Sequence, residues 1–370
     1  MDRSKWDYKK LGEVCTVVSG STPKTQIEEY WNGSHFWITP AELDGSTYVS
    51  KSERLITDLA IEKTNLTLLP IGTVLLSSRA PIGKVAITTS PMYCNQGFKN
   101  LICSPAVHNK YLYWFLKGKT DYLNSLGRGA TFKEISKTIV ENIKIPVYSL
   151  EAQQNISVEI DCLNEMIAVK QEQLKEFDKL AQSIFYDMFG DPASNEKGWG
   201  KLKMKDICEI IAGGDKPDNL SDIKTDDYCY PVIANGEGDK GILGYSRTRR
   251  VVKDSVTIGA RGASIGNCRI VYGGFTPVVR LISLTPNDQV NCIYLYYFAK
   301  QMPYFSTGAG QAQLTVPNVK MVTIPLPPLS LQQQFAEKIS AIEAQKELVK
   351  QSIAETQHLL DYTMDKYFNE

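Results

Sequence analysis

Histidines and glycine-rich stretches are where this sequence would most readily encode catalysis or a bound cofactor, and they offer little. The three histidines, His35, His108 and His358, stand far apart, and no further ligand lies at metal-binding spacing from them. Gly236 to Gly241 matches Gly-x-Gly-x-x-Gly, but a dinucleotide site needs a helix after the last glycine, and the residues that follow favour a strand or turn. Neither a phosphate-binding Gly-x-x-x-x-Gly-Lys-Ser/Thr loop nor an Asn/Asp-Pro-Pro-Tyr/Phe adenine-methylation signature is present. We predict no catalytic residue, no metal and no cofactor.

The cysteines and the lengths of the apolar runs indicate the cellular compartment. Eight cysteines are scattered without a Cys-x-x-Cys pair, which favours reduced thiols over a structural zinc site. No apolar run reaches membrane-spanning length, and Met1 to Lys5 lack the apolar segment of a signal peptide. The sequence therefore predicts a cytoplasmic protein with no membrane association.

Binding chemistry remains, and two arginines carry the most specific part of it. Arg79 and Arg261 each precede an Ile-Gly turn. An arginine fork can bond two acceptors on guanine or clamp a phosphate, and it can equally pair with a neighbouring carboxylate. Both interpretations stay open at this point. Amide side chains with the geometry to contact adenine edges are found at Asn95, Gln96, Gln311 and Gln313, although buried amides that cap strand ends are also common.

Basic side chains in polar loops are candidates for phosphate contacts. These are Lys24, Lys99, Arg128, Lys133, Lys216, Arg247, Arg249 and Arg250. Ser21, Thr22 and Asn235, polar residues of the same kind of loop, complete the predicted DNA-binding set.

The net charge of zero hides a partition along the chain. Lys+Arg against Asp+Glu is 18 to 13 in residues 1–144 and 16 to 13 in residues 191–324, but 3 to 8 in residues 145–190 and 4 to 7 in residues 325–370. Mildly basic globular parts and acidic helical parts suit a protein that contacts phosphates with the former only. The alternative is that long helices simply favour glutamate.

The elements that would position these side chains occur twice. With a shift of 179 residues and no gap, the stretch beginning Ile145-Pro146 and containing Leu150-Glu151-Ala152-Gln153-Gln154 aligns with the stretch beginning Ile324-Pro325 and containing Leu329-Ser330-Leu331-Gln332-Gln333. In the globular parts, Arg79 to Gly83 corresponds to Arg261 to Gly266, with one residue more in the second copy. The chain is a tandem duplication.

Each copy ends in a predicted long helix whose apolar residues recur every three or four positions, the spacing of a coiled-coil seam. The seam positions are Ile156, Ile160, Leu163, Ile167, Leu174 and Phe177 in the first helix and Phe335, Ile339, Ile342, Val349, Ile353 and Leu360 in the second. Two helices packed separately on their own domains would give the same pattern. Matching length and phase favour one intramolecular pair, and chain connectivity makes that pair antiparallel.

The predicted fold class is α+β, with two mixed α/β domains joined by an antiparallel coiled coil in a pseudo-two-fold repeat. The predicted divisions are a first domain at 1–144, a repeat with the first long helix at 145–190, a second domain at 191–323 and a repeat with the second helix at 324–370.

These features resemble the specificity (S) subunit of type I restriction-modification systems. The resemblance covers essentially the whole chain and rests on the Ile-Pro-x-x-x-Leu-x-x-Gln-Gln entry to each helix, the Phe189-Gly190-Asp191-Pro192 junction and the Ser19 to Pro23 loop. It implies that the globular parts are target recognition domains, each reading half of a split site in double-stranded DNA. It also implies that two methyltransferase subunits dock on the helices and recognition domains, and that restriction (motor-nuclease) subunits join them.

The second copy departs from this pattern, since its Gly213-Gly214-Asp215-Lys216-Pro217 loop lacks the Ser/Thr before proline. A different hypothesis is a free-standing bivalent DNA-binding regulator. The long helix pair, larger than two small domains need for self-association, argues against it.

Overall fold

Two units divide the chain in the computed structural model. The first comprises residues 1–170 and 352–370, and the second comprises residues 171–351, so both boundaries fall inside long helices. The predicted four-part division stays a prediction. The structure describes residues 7–79, 81–129, 133–236, 241–262, 265–279, 281–302 and 314–368.

In the first unit the strands form three sheets, a five-stranded sheet in the order β2-β9-β6-β7-β4, a three-stranded sheet β5-β3-β8 and the pair β1-β10. In Cys15–Ser19 the first and third side chains are buried and the second and last are exposed, as expected of a strand with one face on a core. The strands are β1 (Tyr8–Lys10), β2 (Cys15–Ser19), β3 (Trp31–Ile38), β4 (Tyr48–Val49), β5 (Arg54–Ile56), β6 (Val74–Leu76), β7 (Val85–Thr88), β8 (Tyr93–Cys94), β9 (Lys99–Cys103) and β10 (Lys144–Pro146).

The described part of this unit also contains five short α-helices. They are α1 (Leu11–Val14), α2 (Asp58–Lys63), α3 (Asn109–Gly118), α4 (Thr120–Leu126) and α5 (Lys137–Glu141). In α3 the six residues from Tyr111 to Leu116 are all buried, because the helix is enclosed by the sheet and by the first long helix. The main core of the unit forms there.

The second unit repeats this plan, with fewer strands among its described residues. Its sheets have the orders β12-β18-β15-β16 and β14-β13-β17, with the pair β11-β19. The strands are β11 (Gly200–Lys203), β12 (Cys208–Ala212), β13 (Tyr230–Ile233), β14 (Ile242–Ser246), β15 (Ser255–Gly259), β16 (Cys268–Val271), β17 (Thr276–Pro277), β18 (Leu281–Pro286) and β19 (Thr323–Leu326). The short helices, numbered after the first long helix α6 (Leu150–Phe189), are α7 (Met204–Ile207), α8 (Cys292–Gln301) and α9 (Val316–Met321).

Matching hydrogen bonds confirm the duplication within the globular parts. The Ser77 N–H donates to the Lys84 carbonyl (2.9 Å) and the Gly83 N–H to the Ser77 carbonyl (3.1 Å). In the second unit Gly259 takes the place of Ser77. The Gly259 N–H donates to the Asn267 carbonyl, and the Gly266 N–H donates to the Gly259 carbonyl, both at 2.9 Å. The extra residue of the second copy is therefore absorbed inside the turn, and both strands keep their register.

The long helices α6 and α10 (Leu329–Phe368) contain 40 residues each. They pair antiparallel in each unit. In the first, the Lys170 ammonium donates to the Thr356 hydroxyl at 2.8 Å. In the second, the Lys346 ammonium lies 2.8 Å from an Asp178 carboxylate oxygen. The predicted α+β class and the antiparallel coiled coil are confirmed.

The seam side chains face the partner helix and the domain cores. In the first unit Ile156, Ile160, Leu163, Ile167 and Leu360 are buried and Ile353 is half-buried; in the second, Phe335, Ile339 and Ile342 are buried and Leu174, Phe177 and Val349 are half-buried. The half-buried positions lie toward the middle of each helix. Among them, Ile353 and Phe177 still pack against the cores of their own units.

Candidate nucleic-acid interface

Most of the predicted DNA-contact residues of the first unit lie in loops at one end of the strands of the five-stranded sheet. This end is called the sheet edge below. Strand β2 ends there at Ser19 and β9 begins there at Lys99, because these two strands run antiparallel with Ser19 opposite Lys99. Strand β6 ends at the same edge, so the loop that begins at Ser77 lies there too. Three loops from distant parts of the sequence are thereby brought together.

Gly20 lets two of these loops touch. A Cβ atom at this position would stand 1.8 Å from the Asn95 carbonyl oxygen, so only glycine fits. The Ser21 N–H donates to the Cys94 carbonyl at 3.0 Å, and the Thr22 hydroxyl donates to the Gln96 side-chain oxygen. Ser21, Thr22, Asn95 and Gln96 thus lie together on one polar surface, and their role as DNA contacts stays a prediction. Lys24 is exposed beside them.

Arg79, Lys99 and Glu134 form a charged cluster on the same edge. The Glu134 carboxylate lies 3.0 Å from the Arg79 Nε and 3.2 Å from the Lys99 ammonium. Burial alone would raise the pKa of Glu134, but the hydrogen bonds and charges of Lys99 and Arg79 outweigh burial and hold that pKa below its ordinary value. The ion-pair interpretation of Arg79 is therefore realised, while its side chain stays 45% exposed. The predicted phosphate contact at Lys99 is at odds with its position, since only 8% of the side chain is exposed.

Arg128 and Lys133 flank this cluster. The main chain of Arg128 pairs with that of Glu134 through two 3.0 Å hydrogen bonds, and both basic side chains are exposed. The Ile135 N–H donates to the Ser78 carbonyl (2.9 Å), which fixes the segment against the end of β6. This arrangement places two further cations beside Arg79.

The second unit builds the corresponding edge from equivalent atoms. A Cβ on Gly213 would stand 2.0 Å from the Val278 carbonyl oxygen, the same close approach as at Gly20. The Leu314 N–H donates to the Ala260 carbonyl (2.8 Å), as Ile135 does to Ser78, so Arg261 follows the strand end just as Arg79 does. Asn235 donates its side-chain amide to the Arg261 carbonyl at 3.0 Å. Two predicted contacts are therefore adjacent. Gln311 and Gln313 lie outside the described residues.

Arginines stacked on tyrosines form a second basic group in this unit. The Arg247 guanidinium lies 4.8 Å from the Tyr228 ring and 3.5 Å from Asp227, and that of Arg249 lies 4.8 Å from the Tyr230 ring. All of these arginine side chains are exposed, as is Arg250. Stacking holds a guanidinium in place while leaving its N–H edge available to phosphate.

Comparison with known proteins relates this geometry to a family. The family model described as type I restriction modification DNA specificity domain matches residues 3–177 and 196–358. The type I restriction enzyme MjaIX specificity subunit of Methanocaldococcus jannaschii is 32% identical over 368 residues, covering 89% of this chain and 85% of that protein. The chain belongs to the type I restriction-modification specificity family.

Other specificity-family proteins agree. The EcoR124I/EcoR124II specificity subunit of Escherichia coli is 31% identical over 185 residues, covering 48% of this chain and 42% of that protein. The crystal structure of the type I S subunit from M. genitalium matches with a TM-score of 0.61 at 15% identity, covering 100% of this chain and 98% of that one. A chain from a study of assembly of the type I R-M system matches with a TM-score of 0.65 at 19% identity, over 98% and 97%. These two structural likenesses concern the fold.

The repeated Gln-Gln is visible in the sequence, but the contacts of its first glutamine are not. Both Gln153 and Gln332 are fully buried. The Gln153 side chain accepts from the His108 N–H (2.8 Å) and donates to the carbonyls of Ala106 (3.0 Å) and Tyr148 (2.8 Å). It thereby ties the start of α3 to the start of α6.

Gln332 makes the same three bonds in the second unit, to the Asn291 N–H (2.8 Å) and to the carbonyls of Gln289 (3.3 Å) and Pro327 (2.9 Å). Tyr111 and Tyr294 reinforce the two junctions, since their hydroxyls donate to the carbonyls of Pro146 and Pro325 at 2.8 and 2.6 Å. Burial raises the pKa of both tyrosines well above the ordinary value, so the hydroxyls keep their protons. The repeated Leu-x-x-Gln-Gln sequence therefore has a structural explanation: its first glutamine joins the domain to the helix.

Within the described ranges, no group of three or more His, Cys, Asp or Glu side chains is arranged to hold a metal ion. None of the helices among those residues is long and apolar enough to cross a membrane.

Proposed function

We propose that the chain is the DNA-binding specificity subunit of a type I restriction-modification complex, with each unit reading one half of a bipartite site. The observation that carries this proposal is the repeated sheet edge, where an arginine follows the same strand end in both units and polar loops surround it. An arginine fork reads guanine in the major groove, while neighbouring lysines and arginines contact phosphates. The loops around the two arginines differ in sequence, which suits two different half-sites.

The long helices supply the second part of the proposal. Each contains 40 residues, roughly 60 Å at the α-helical rise, and each runs without a break from one unit into the other. We assign them the role of a spacer that sets the number of unread base pairs between half-sites. Their acidic surfaces suit docking of protein subunits rather than DNA.

The proposed partners supply the methylation chemistry for which this sequence has no signature. Because no adenine-methylation signature is present in the chain, methylation needs separate methyltransferase subunits, and two equivalent units suit two of them. We further propose that restriction subunits join the same complex and that the assembly is cytoplasmic. Membership of the specificity family disfavours the free-standing regulator.

Methylated-site mapping tests the proposal. The chain should be produced with and without the methyltransferase of the same host, and modified adenines mapped across a plasmid library of random sites. We expect methylation only when both proteins are present, at a site of two short specific sequences separated by unspecified bases. Methylation by the chain alone, or a continuous recognition sequence, contradicts the proposal.

A further inference from the structure

The second unit keeps the main-chain geometry of the sheet edge but not its polar side chains. The Gly20 N–H donates to the Phe98 carbonyl (3.3 Å), and the Gly213 N–H donates to the Leu281 carbonyl (2.8 Å). With these glycines aligned, the equivalent pairs are Ser21 and Gly214, Thr22 and Asp215, Asn95 and Val278, and Gln96 and Val279. Two hydroxyls and two amides of the first unit are thus replaced by a carboxylate, two valines and a position without a side chain.

The position without a side chain, Gly214, makes room for an arginine. A Cβ atom added to Gly214 would overlap Nη1 of Arg250 and stand 3.4 Å from its Cζ. The three atoms nearest to such a Cβ all belong to the Arg250 guanidinium. This guanidinium therefore lies where the Ser21 side chain begins in the first unit.

Main-chain hydrogen bonds fix both partners of this contact. The Arg250 N–H donates to the Phe275 carbonyl at 3.1 Å, and Val251 and Phe275 exchange two hydrogen bonds of 3.0 Å. Val251 and Phe275 are buried in one apolar cluster. The Gly214 N–H donates to the carbonyl of Pro277 at 3.2 Å. Arg250 and Gly214 are thus attached to the same short segment, at positions two residues apart.

Arg250 differs in its contacts from the two arginines that precede it. Arg247 and Arg249 stack on tyrosine rings, and Arg247 also lies 3.5 Å from Asp227. Within the part of the chain that the structure describes, no carboxylate is paired with the Arg250 guanidinium, and the side chain is exposed. Its N–H groups are therefore available to a ligand at the sheet edge.

Strand order places Arg250 at the same edge as Arg261. Gly213 bonds to Leu281 at the beginning of β18, and Gly259 lies opposite Leu281 on its other side. Since neighbouring strands are about 4.8 Å apart, the ends of β12 and β15 are about 10 Å apart. About three base pairs of duplex DNA span that distance. Both arginines can therefore contact bases of one short half-site.

We propose that Arg250 is a specificity-determining residue of the second unit, which bonds to a guanine base edge through its guanidinium fork, and that Gly214 is the residue that admits it. This role replaces the phosphate contact that the sequence predicts. The inference rests on the proposed function, because it takes DNA as the ligand of this edge.

The composition of the edge favours a base over a phosphate as the ligand of Arg250. Phosphate contacts position a protein on DNA, whereas sequence is read by donors, acceptors and apolar groups that reach base edges. Val279, 52% exposed, has no donor or acceptor in place of the Gln96 amide. Arg250 supplies donors at this part of the edge, and an arginine fork matches O6 and N7 of guanine.

Methylation of a site library by the intact complex tests the assignment. The wild-type chain and Arg250→Ala are each assembled with the methyltransferase, and the library varies every base of both half-sites. We expect Arg250→Ala to lose preference for guanine at one position of one half-site, by roughly 5- to 150-fold. The other half-site and the melting temperature should stay unchanged, because the side chain is exposed and serves one unit.

Gly214→Ala is the second variant, because it displaces the guanidinium without removing it. The added methyl group meets the far end of a flexible side chain, and the main chain of Gly214 is not in the left-handed region, so the fold should be retained. We expect Gly214→Ala to relax the same guanine position as Arg250→Ala. The double variant should show no further loss, since both changes remove one contact.

Arg247→Ala is the matched control for a phosphate contact, since Arg247 is an exposed arginine of the same segment. Loss of a phosphate contact weakens binding about equally for all sequences and lowers the dependence of binding on salt concentration. Binding of the library at several salt concentrations distinguishes that behaviour from the loss of one base preference expected for Arg250→Ala.

Several outcomes overturn the inference. Uniform weakening by Arg250→Ala with a lower salt dependence makes Arg250 a phosphate contact, and unchanged preference excludes it from the interface. A half-site of the second unit without a G·C pair, or Gly214→Ala with wild-type preference, also contradicts it. In these cases a bipartite site that is still methylated leaves the proposed function intact. If the wild-type complex methylates no bipartite site, the proposed function itself fails.

Discussion

Arg79 shows how one side chain can serve two roles. Its Nε bonds to Glu134 at 3.0 Å, yet nearly half of the side chain is exposed at the edge where polar loops gather. A carboxylate bonded to the Nε of an arginine restricts the rotamers of the arginine side chain. Less conformational entropy is then lost when the remaining guanidinium N–H groups bind a base. An ion pair and DNA contact are therefore compatible at this position.

Replacing Arg79 separates these roles. Arg79→Ala should relax recognition of one half-site by about 1–3 kcal/mol per base contact and leave the other half-site unchanged. Arg261→Ala is the matched variant and should affect the other half-site alone. Methylated-site mapping measures both. Unaltered specificity together with a lower melting temperature would mean that Arg79 acts only through its pair with Glu134.

Single residues show which features of the candidate interface can be predicted from the sequence and which cannot. The equivalence of Arg79 and Arg261 was visible because both precede an Ile-Gly turn. Burial of Lys99 was not visible, since its partner Glu134 is brought beside it only by the fold. The role of Gln153 was hidden for the same reason: its partners are main-chain atoms, which leave no pattern of side chains to recognise.

At the scale of elements, the heptad spacing predicts the two helices, their matching length and phase favour pairing, and chain connectivity predicts that the pair is antiparallel. The polar seam positions Lys170 and Lys346 find hydrogen-bond partners on the opposite helix, so they do not interrupt it.

The glutamine junctions give an element-scale prediction. Gln332→Ala leaves the Asn291 N–H and two carbonyls without their buried partner, which should lower the free energy of unfolding of the unit by about 1–3 kcal/mol. Hydrogen exchange should show faster exchange at the Asn291 amide. Gln333→Ala, at the exposed neighbouring position, is the control and should change neither quantity. Equal protection of Asn291 in both variants would refute the assigned role.

For the whole molecule, α6 and α10 each continue from one unit into the other. In the proposed function, the length of these helices therefore sets the distance between the two half-sites. Lys170 bonds to Ser352 and Thr356, so residues 167–173 face residues 352–358. Removing one heptad from each helix keeps the apolar seam in phase.

Deleting residues 167–173 together with 352–358 should therefore preserve both half-sites and shorten the gap between them. Each helix loses about 10 Å, equivalent to about three base pairs of duplex. Methylated-site mapping reads the gap directly, and deletion of a heptad from one helix alone serves as a control that should unfold the seam. An unchanged gap in the double deletion would exclude the helices as the spacer.

The side chains that join each domain to its long helix bond to main-chain groups rather than to other side chains. Gln153, Gln332, Tyr111 and Tyr294 bond to N–H and carbonyl groups of the main chain, which every residue type except proline presents in full. The attachment is therefore indifferent to which side chains the neighbouring segment carries. Residues of that segment can therefore differ while the same bonds are kept, as His108 of the first unit and Asn291 of the second do.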